Sequence, residues 1–277
     1  MQRVGIVDYR MGNLASVAKA LEKVGAESFV SEDRDALAAS DIVVLPGVGN
    51  FAAGMANLRR GGLDAFVREW AGAARPLLGI CMGMQMFLDH SEEGDTAGLG
   101  ILPGKVVRLR GDVKVPHMGW NTLGQTTGFL QGFEGRHFYF VHSYACVPPT
   151  DVTAAVTSYG ETFASAVLAG NVIGVQFHPE KSSLDGLALL TAALQAFAAW
   201  DARGRLRCLR STGSTSSSLS TWSAGAWSGC CGATPRRQPS TARTPSPPRS
   251  PGRSGARRGC TSSTSRGQSA GRPPMPP

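Results

Sequence analysis

A chain of 277 residues with 42% hydrophobic content can bury one large core or two small ones, and its formal net charge of +8 at first suggests a nucleic-acid partner. The distribution excludes that: residues 1–200 carry 15 Lys+Arg against 19 Asp+Glu, and the 13 basic residues that follow are all Arg. Only Cys81 and Cys146 of the 6 cysteines precede residue 200, which excludes a disulfide framework; with no signal-like or membrane-length apolar run, a cytoplasmic protein is expected.

Val4–Val7 reads as a buried strand running into Asp8-Tyr9-Arg10-Met11-Gly12-Asn13, after which Leu14, Val17, Ala18, Leu21 and Val24 recur at helical spacing until Gly25. A second strand near Ser28–Val30 and a short helix from Asp33 follow. A third strand, Ile42–Leu45, enters Pro46-Gly47-Val48-Gly49-Asn50-Phe51. Helices are expected over about 51–59 and 62–72, then a strand over Leu77–Ile80 and a helix from Met82 to about His90. Strands alternating with helices imply an α/β fold with a mainly parallel central sheet covered on both faces. Beyond it, short β-type runs occupy Val106–Leu109, His137–Val141, Thr153–Tyr159, Ala164–Leu168 and Val172–Phe177, with a tight turn at Ala169-Gly170-Asn171 and a closing helix from Leu184 to Trp200.

The stretch Leu77-Leu78-Gly79-Ile80-Cys81-Met82-Gly83 has the form of a nucleophile elbow. A strand that turns at once into a helix leaves no room for neighbouring Cβ atoms, hence the glycines, and it sets the cysteine at a helix N-terminus that favours the thiolate. Gly-x-Cys-x-Gly alone would equally suit a buried structural cysteine. Cys81 needs a base, and His178 is the candidate, because Phe177-His178-Pro179-Glu180 puts a carboxylate two residues on, where an extended chain returns it to the same side. A surface His-Glu pair, or two partial metal ligands, would look the same.

Taken together, the elbow and the His-Pro-Glu stretch resemble the class I, triad-type glutamine amidotransferases over about residues 2–200. That resemblance implies the family's flavodoxin-like fold, Cys81 as nucleophile, and His178 and Glu180 as the other triad members. It also implies an oxyanion loop at Gly47, Val48 and Gly49, with the Met82 N–H as a further donor, and glutamine contacts at Gln85, His142, Ser143 and Tyr144. No metal and no cofactor are expected.

Within the family, four signatures resemble the glutaminases that serve imidazole glycerol phosphate synthase: Asp8-Tyr9 with Met11-Gly12-Asn13-Leu14, Pro46 to Phe51, Pro116-His117-Met118-Gly119-Trp120-Asn121, and His178 to Ser182. The implied partner is that synthase's TIM-barrel cyclase subunit, in a heterodimer that uses the ammonia in histidine synthesis. Asn13, Met118, Trp120 and Lys181 are the candidate partner-facing residues, although a tryptophan in a Gly-bounded loop also suits a core. A glutaminase for another synthase, or a silent partner-binding scaffold, remains open. Residues 1–200 are expected to form the amidotransferase domain. Residues 201–277, rich in Ser, Thr, Arg, Pro and Gly without Lys, are expected to be a disordered tail with the composition of GC-rich DNA read out of frame.

Overall fold

In the computed structural model, which describes residues 1–200, the apolar runs of the first half become strands alternating with helices. The strands are β1 (Arg3–Val7), β2 (Glu27–Ser31), β3 (Ile42–Gly47) and β4 (Leu77–Cys81); the helices are α1 (Leu14–Lys23), α2 (Arg34–Ala38), α3 (Phe51–Arg60) and α4 (Leu63–Gly72). Local chemistry sets their ends. Asp33 caps α2 by accepting from Asp35 N at 2.9 Å, and Asn50 caps α3 by accepting from Ala53 N at 3.0 Å. The expected tail lies outside the described residues.

The second half contains α5 (Met82–Met86), β5 (His90–Ser91), β6 (Thr96–Ala97), β7 (Lys105–Arg108), β8 (His117–Thr122), β9 (His137–His142) and β10 (Tyr144–Val147). It continues with β11 (Thr153–Tyr159), β12 (Glu161–Ala169), β13 (Val172–Val175) and α6 (Ser183–Ala198). Strands β2-β1-β3-β4-β13 lie side by side and all parallel; β12, β10, β7, β5 and β6 extend the sheet with mostly antiparallel pairs, and β11 pairs with β12. The two-residue turn at Gly170-Asn171 joins β12 to β13, with Gly170 at φ +55°.

Both faces of the parallel sheet are covered, and the period of two along its strands shows how. Ile6, Ile42, Val44, Leu78 and Ile80 pack with α1 and α6, whereas Val7, Val43, Leu45 and Leu77 pack with α3 and α4. Two expectations need correction. The helix after Cys81 stops at Met86 rather than near His90, because the carbonyls of Met86, Phe87 and Leu88 are taken by the N–H groups of Leu99, Ile101, Leu102 and Gly100, leaving nothing for the next helical turn. Trp120 lies not in a loop but in β8, which pairs antiparallel with β9 as a separate ribbon, Trp120 opposite Tyr139.

Candidate active site

Strands β3, β4 and β13 deliver their ends to one edge of the sheet, and the candidate residues gather there. Cys81 ends β4 with φ 54° and ψ −111°, a conformation that costs a side-chain-bearing residue energy and so requires support from its surroundings. The flanking glycines supply it. A Cβ on Gly83 would run into the Leu45 carbonyl, and one on Gly79 into the Phe87 ring and the Met84 amide. Cys81 is 4% exposed and forms the N-cap of α5. Since α5 has five residues, its dipole is small, and the positive charge beside the sulfur comes chiefly from His178.

His178 follows β13 and is buried, its backbone N–H donating to the Tyr139 carbonyl at 2.9 Å. Its Nδ1 meets Glu180 Oε1 at 2.8 Å, with both side chains 2% exposed, which leaves Nε2 without a hydrogen-bond partner and free to act on Cys81. Burial disfavours the imidazolium, but the Cys81 sulfur and the Glu180 carboxylate together outweigh it and raise the His178 pKa well above the usual histidine range. Protonated His178 beside the sulfur is the charge arrangement of an activated cysteine.

Gly47 pairs with Cys81 in the β3–β4 register, so the Val48-Gly49 loop leaves the sheet beside Cys81. The buried Tyr9 hydroxyl donates to the Pro46 carbonyl at 2.7 Å and anchors the loop's start, while Met11 lies against Gly49, which explains why the Asp8–Asn13 signature accompanies the Pro46–Phe51 one. Gly49 has φ +106°, open only to glycine at little cost.

A cavity of about 220 Å³ opens over Cys81, lined by Val48, Gly49, Met82 and Gln85 on one side and by His142, Ser143 and Tyr144 on the other. This is smaller than the roughly 300 Å³ at which pockets for drug-sized molecules begin. It suits a single amino acid. Sequence reasoning missed Glu93, the one carboxylate in the lining, whose Oε2 accepts from Phe51 N at 2.8 Å. It also missed Gln176, fully buried, whose Nε2 lies 3.7 Å from Cys81 Sγ. A polar residue two positions before His178 in an otherwise apolar strand end was the available signal. Gln85 meets the cavity, but its amide nitrogen is already committed to the Tyr144 carbonyl at 2.8 Å and to Gln176 Oε1 at 3.0 Å.

The four candidate partner-facing residues are all on the surface, Met118 63% and Trp120 54% exposed on the same face of β8, with Asn13 and Lys181 exposed as well. Trp120 leans edge-on to Tyr139, with ring centroids 6.1 Å apart.

The class-I glutamine amidotransferase family model matches residues 5–192. The chain belongs to that family. The imidazole glycerol phosphate synthase subunit HisH of Moorella thermoacetica is 49% identical over 195 residues, 69% of this chain and 93% of that protein. The HisH subunit of Methanopyrus kandleri is 48% identical over 195 residues, 69% of this chain and 97% of its own length. Among solved structures, a glutamine amidotransferase at 20% identity aligns with TM-score 0.56, covering 69% of this chain and 98% of its own. PurLQS from Thermotoga maritima, at 22% identity, aligns with TM-score 0.55 over 70% and 99%. The flavodoxin-like amidotransferase fold is thus shared even where little sequence is. Among the described residues of this amidotransferase no helix is long and apolar enough to cross a membrane, and no group of three His, Cys, Asp or Glu is placed to hold a metal ion.

Acid stability follows from two buried histidines of the amidotransferase. Burial, reinforced by His117 and His178 nearby, pushes the His142 pKa down to about 3 against a partly opposing hydrogen bond to the Tyr144 carbonyl, and burial lowers His117 as well. The unfolded chain takes up these protons near pH 6.5 and the folded chain does not. The contribution of the two histidines to stability is therefore complete above about 6.5 and is lost as pH falls below it, for His142 down to about 3, by up to about 1.4 kcal/mol per pH unit for each histidine. Denaturation midpoints between pH 7 and 5 are expected to fall less steeply in His142→Phe than in the parent; equal slopes would exclude this origin.

Proposed function

We propose that the chain hydrolyses glutamine to glutamate and ammonia as the glutaminase subunit of imidazole glycerol phosphate synthase, with Cys81 as nucleophile. The observation that carries this is the strained, buried Cys81 beside His178, whose Nδ1 is held by Glu180, at the floor of a cavity of amino-acid size. The thiolate attacks the side-chain amide carbon and the carbonyl becomes an oxyanion, received by N–H groups of the Val48-Gly49 loop and Met82. His178 gives its proton to the leaving nitrogen, and ammonia departs from a Cys81 thioester. Neutral His178 then takes a proton from water, whose oxygen attacks the thioester, and the thiolate leaves with glutamate formed.

Glu93, as the only carboxylate lining the cavity, pairs with the substrate's α-ammonium. Glu93→Gln keeps an acceptor for Phe51 N and removes the charge, so KM for glutamine is expected to rise about tenfold to a hundredfold with kcat little changed. A fall in kcat at constant KM would assign Glu93 elsewhere.

The partner is the synthase's cyclase subunit, a TIM barrel that consumes the ammonia, met at the exposed face of Asn13, Met118, Trp120 and Lys181 in a cytoplasmic heterodimer. Among the described residues both cysteines are free and buried, which suits a reducing compartment. The amidotransferase domain is residues 1–200, supported by a family match that stops at residue 192, and the remainder is an out-of-frame extension with no part in the chemistry. The deciding experiment measures glutamate release by the full chain, and by one ending at residue 203, with and without the cyclase subunit. Both are expected to respond alike to that partner. Response only to another synthase, or to none, would reject the assignment.

A further inference from the structure

A network of hydrogen bonds centred on the Tyr144 carbonyl lies between the surface ribbon and the Cys81 sulfur. Asn121 Nδ2, in β8 beside exposed Trp120, lies 3.4 Å from His117 Nε2, and His117 Nδ1 lies 3.0 Å from His142 Nε2. His142 Nδ1 meets the Tyr144 carbonyl at 2.8 Å, and the same carbonyl accepts from Gln85 Nε2 at 2.8 Å. Gln85 donates again to Gln176 Oε1 at 3.0 Å, and Gln176 Nε2 points at Cys81 Sγ, 3.7 Å away.

Two backbone carbonyls fix every orientation along it. The Tyr144 carbonyl can only accept, so His142 carries its proton on Nδ1 and Gln85 turns its nitrogen inward. His142 Nε2 is then an acceptor, which puts the His117 proton on Nδ1 and makes His117 Nε2 an acceptor in turn. Asn121 Nδ2 also donates to the Ser158 carbonyl at 3.0 Å, so its nitrogen, not its oxygen, faces His117. At the other end Gln85 presents an N–H to Gln176, which must answer with oxygen and leave its own N–H for the sulfur. Both histidines must be neutral for this pattern, and burial lowers the pKa of each. His117 is held by stacking on Tyr159 and Phe140, at ring centroids of 3.9 and 4.9 Å.

We infer that Gln176 is a catalytic N–H donor to the Cys81 thiolate, and that Gln85, anchored on the Tyr144 carbonyl, is the positioning residue that holds its amide in the donating orientation. The inference rests on Cys81 being the nucleophile. A donor on the sulfur favours the thiolate at neutral pH, and its loss matters least where the sulfur is ionised in any case. The other branch from the Tyr144 carbonyl, through His142 and His117, ends at Asn121 beside the proposed partner-facing residues.

The test is iodoacetamide alkylation of the full chain without glutamine or partner, which reads the state of the sulfur whether or not glutamine is the substrate. It is followed on the Cys81 peptide by mass spectrometry, because four further cysteines follow residue 200. Gln176→Met, similar in length but without an N–H, is expected to react about tenfold more slowly at pH 7 and at the parent rate at pH 9.5. Gln85→Met, which removes the N–H that Gln176 Oε1 accepts, is expected to slow the pH 7 reaction about threefold, again with no effect at pH 9.5. Should Gln176→Met fail to fold, Gln176→Asn, which withdraws the amide from the sulfur, meets the same criterion. An unchanged pH 7 rate in the Gln176 variant overturns the donor, an unchanged rate in Gln85→Met overturns the positioning role, and equal slowing at both pH values reduces either residue to packing.

Discussion

Cys81→Ala is expected to abolish glutamine-dependent turnover while ammonia-dependent synthesis by the assembled complex continues. Removing the nucleophile of a covalent hydrolase costs about a millionfold in kcat, leaving only what binding and the oxyanion donors supply. Among the described residues no other thiol can take over, since Cys146 is fully buried, and burial holds its thiol protonated. The same variant removes the sulfur's contribution to His178, so that imidazole is expected to titrate lower than in the parent, a shift readable by NMR. Glutaminase activity persisting in the variant would end the mechanism. A His178 titration that does not move would show that the two groups are not electrically coupled.

The purified chain on its own is expected to hydrolyse glutamine about a hundredfold more slowly than the complex with the cyclase subunit and its nucleotide. The reason lies in Val48-Gly49. The loop is anchored at its base by Tyr9 through the Pro46 carbonyl, but beyond that point Gly49, at φ +106°, allows its peptide more than one orientation. Only an orientation that aims an N–H into the cavity serves the oxyanion, and one missing donor costs about 3 kcal/mol, or roughly a hundredfold. Partner contact that selects the productive orientation raises kcat rather than lowering KM, which steady-state kinetics with and without the partner separates. A single chain as fast as the complex would remove the loop from any regulatory part.

Much of this was legible in the sequence, for identifiable reasons. Strands β3 and β4 are buried at every residue, so they appear as unbroken apolar runs, and the elbow announces itself because sterics permit only glycine at positions 79 and 83. His178 and Glu180 stand two residues apart, so local sequence holds their pairing. The parts that escaped depend on partners distant in the chain. β8 carries His117, Gly119 and Asn121 in place of an apolar alternation, and it becomes a strand only through β9. The length of α5 is set by N–H groups from residues 99–102. Glu93, Gln176 and the His117–His142 pair are single polar residues whose roles arise from packing, with Gln176 lying 95 positions from the sulfur it touches.

The register of the parallel strands has a consequence for how such a chain can change over time. The loop after β1, the loop after β3, the elbow after β4 and His178 after β13 all emerge at the strands' C-terminal edge. The opposite edge carries only joinery. Asn171 in the β12–β13 turn donates to the carbonyls of Ala71 and Arg75 at 3.1 and 2.7 Å, and Arg75 lies 3.4 Å over the Trp70 ring while donating to the Ala38 and Ser40 carbonyls. The two rims therefore answer to separate demands. Substitutions at the joinery rim are expected to show first in thermal resistance, whereas a one-residue insertion in the chemistry rim is expected to shift several of the site's residues at once.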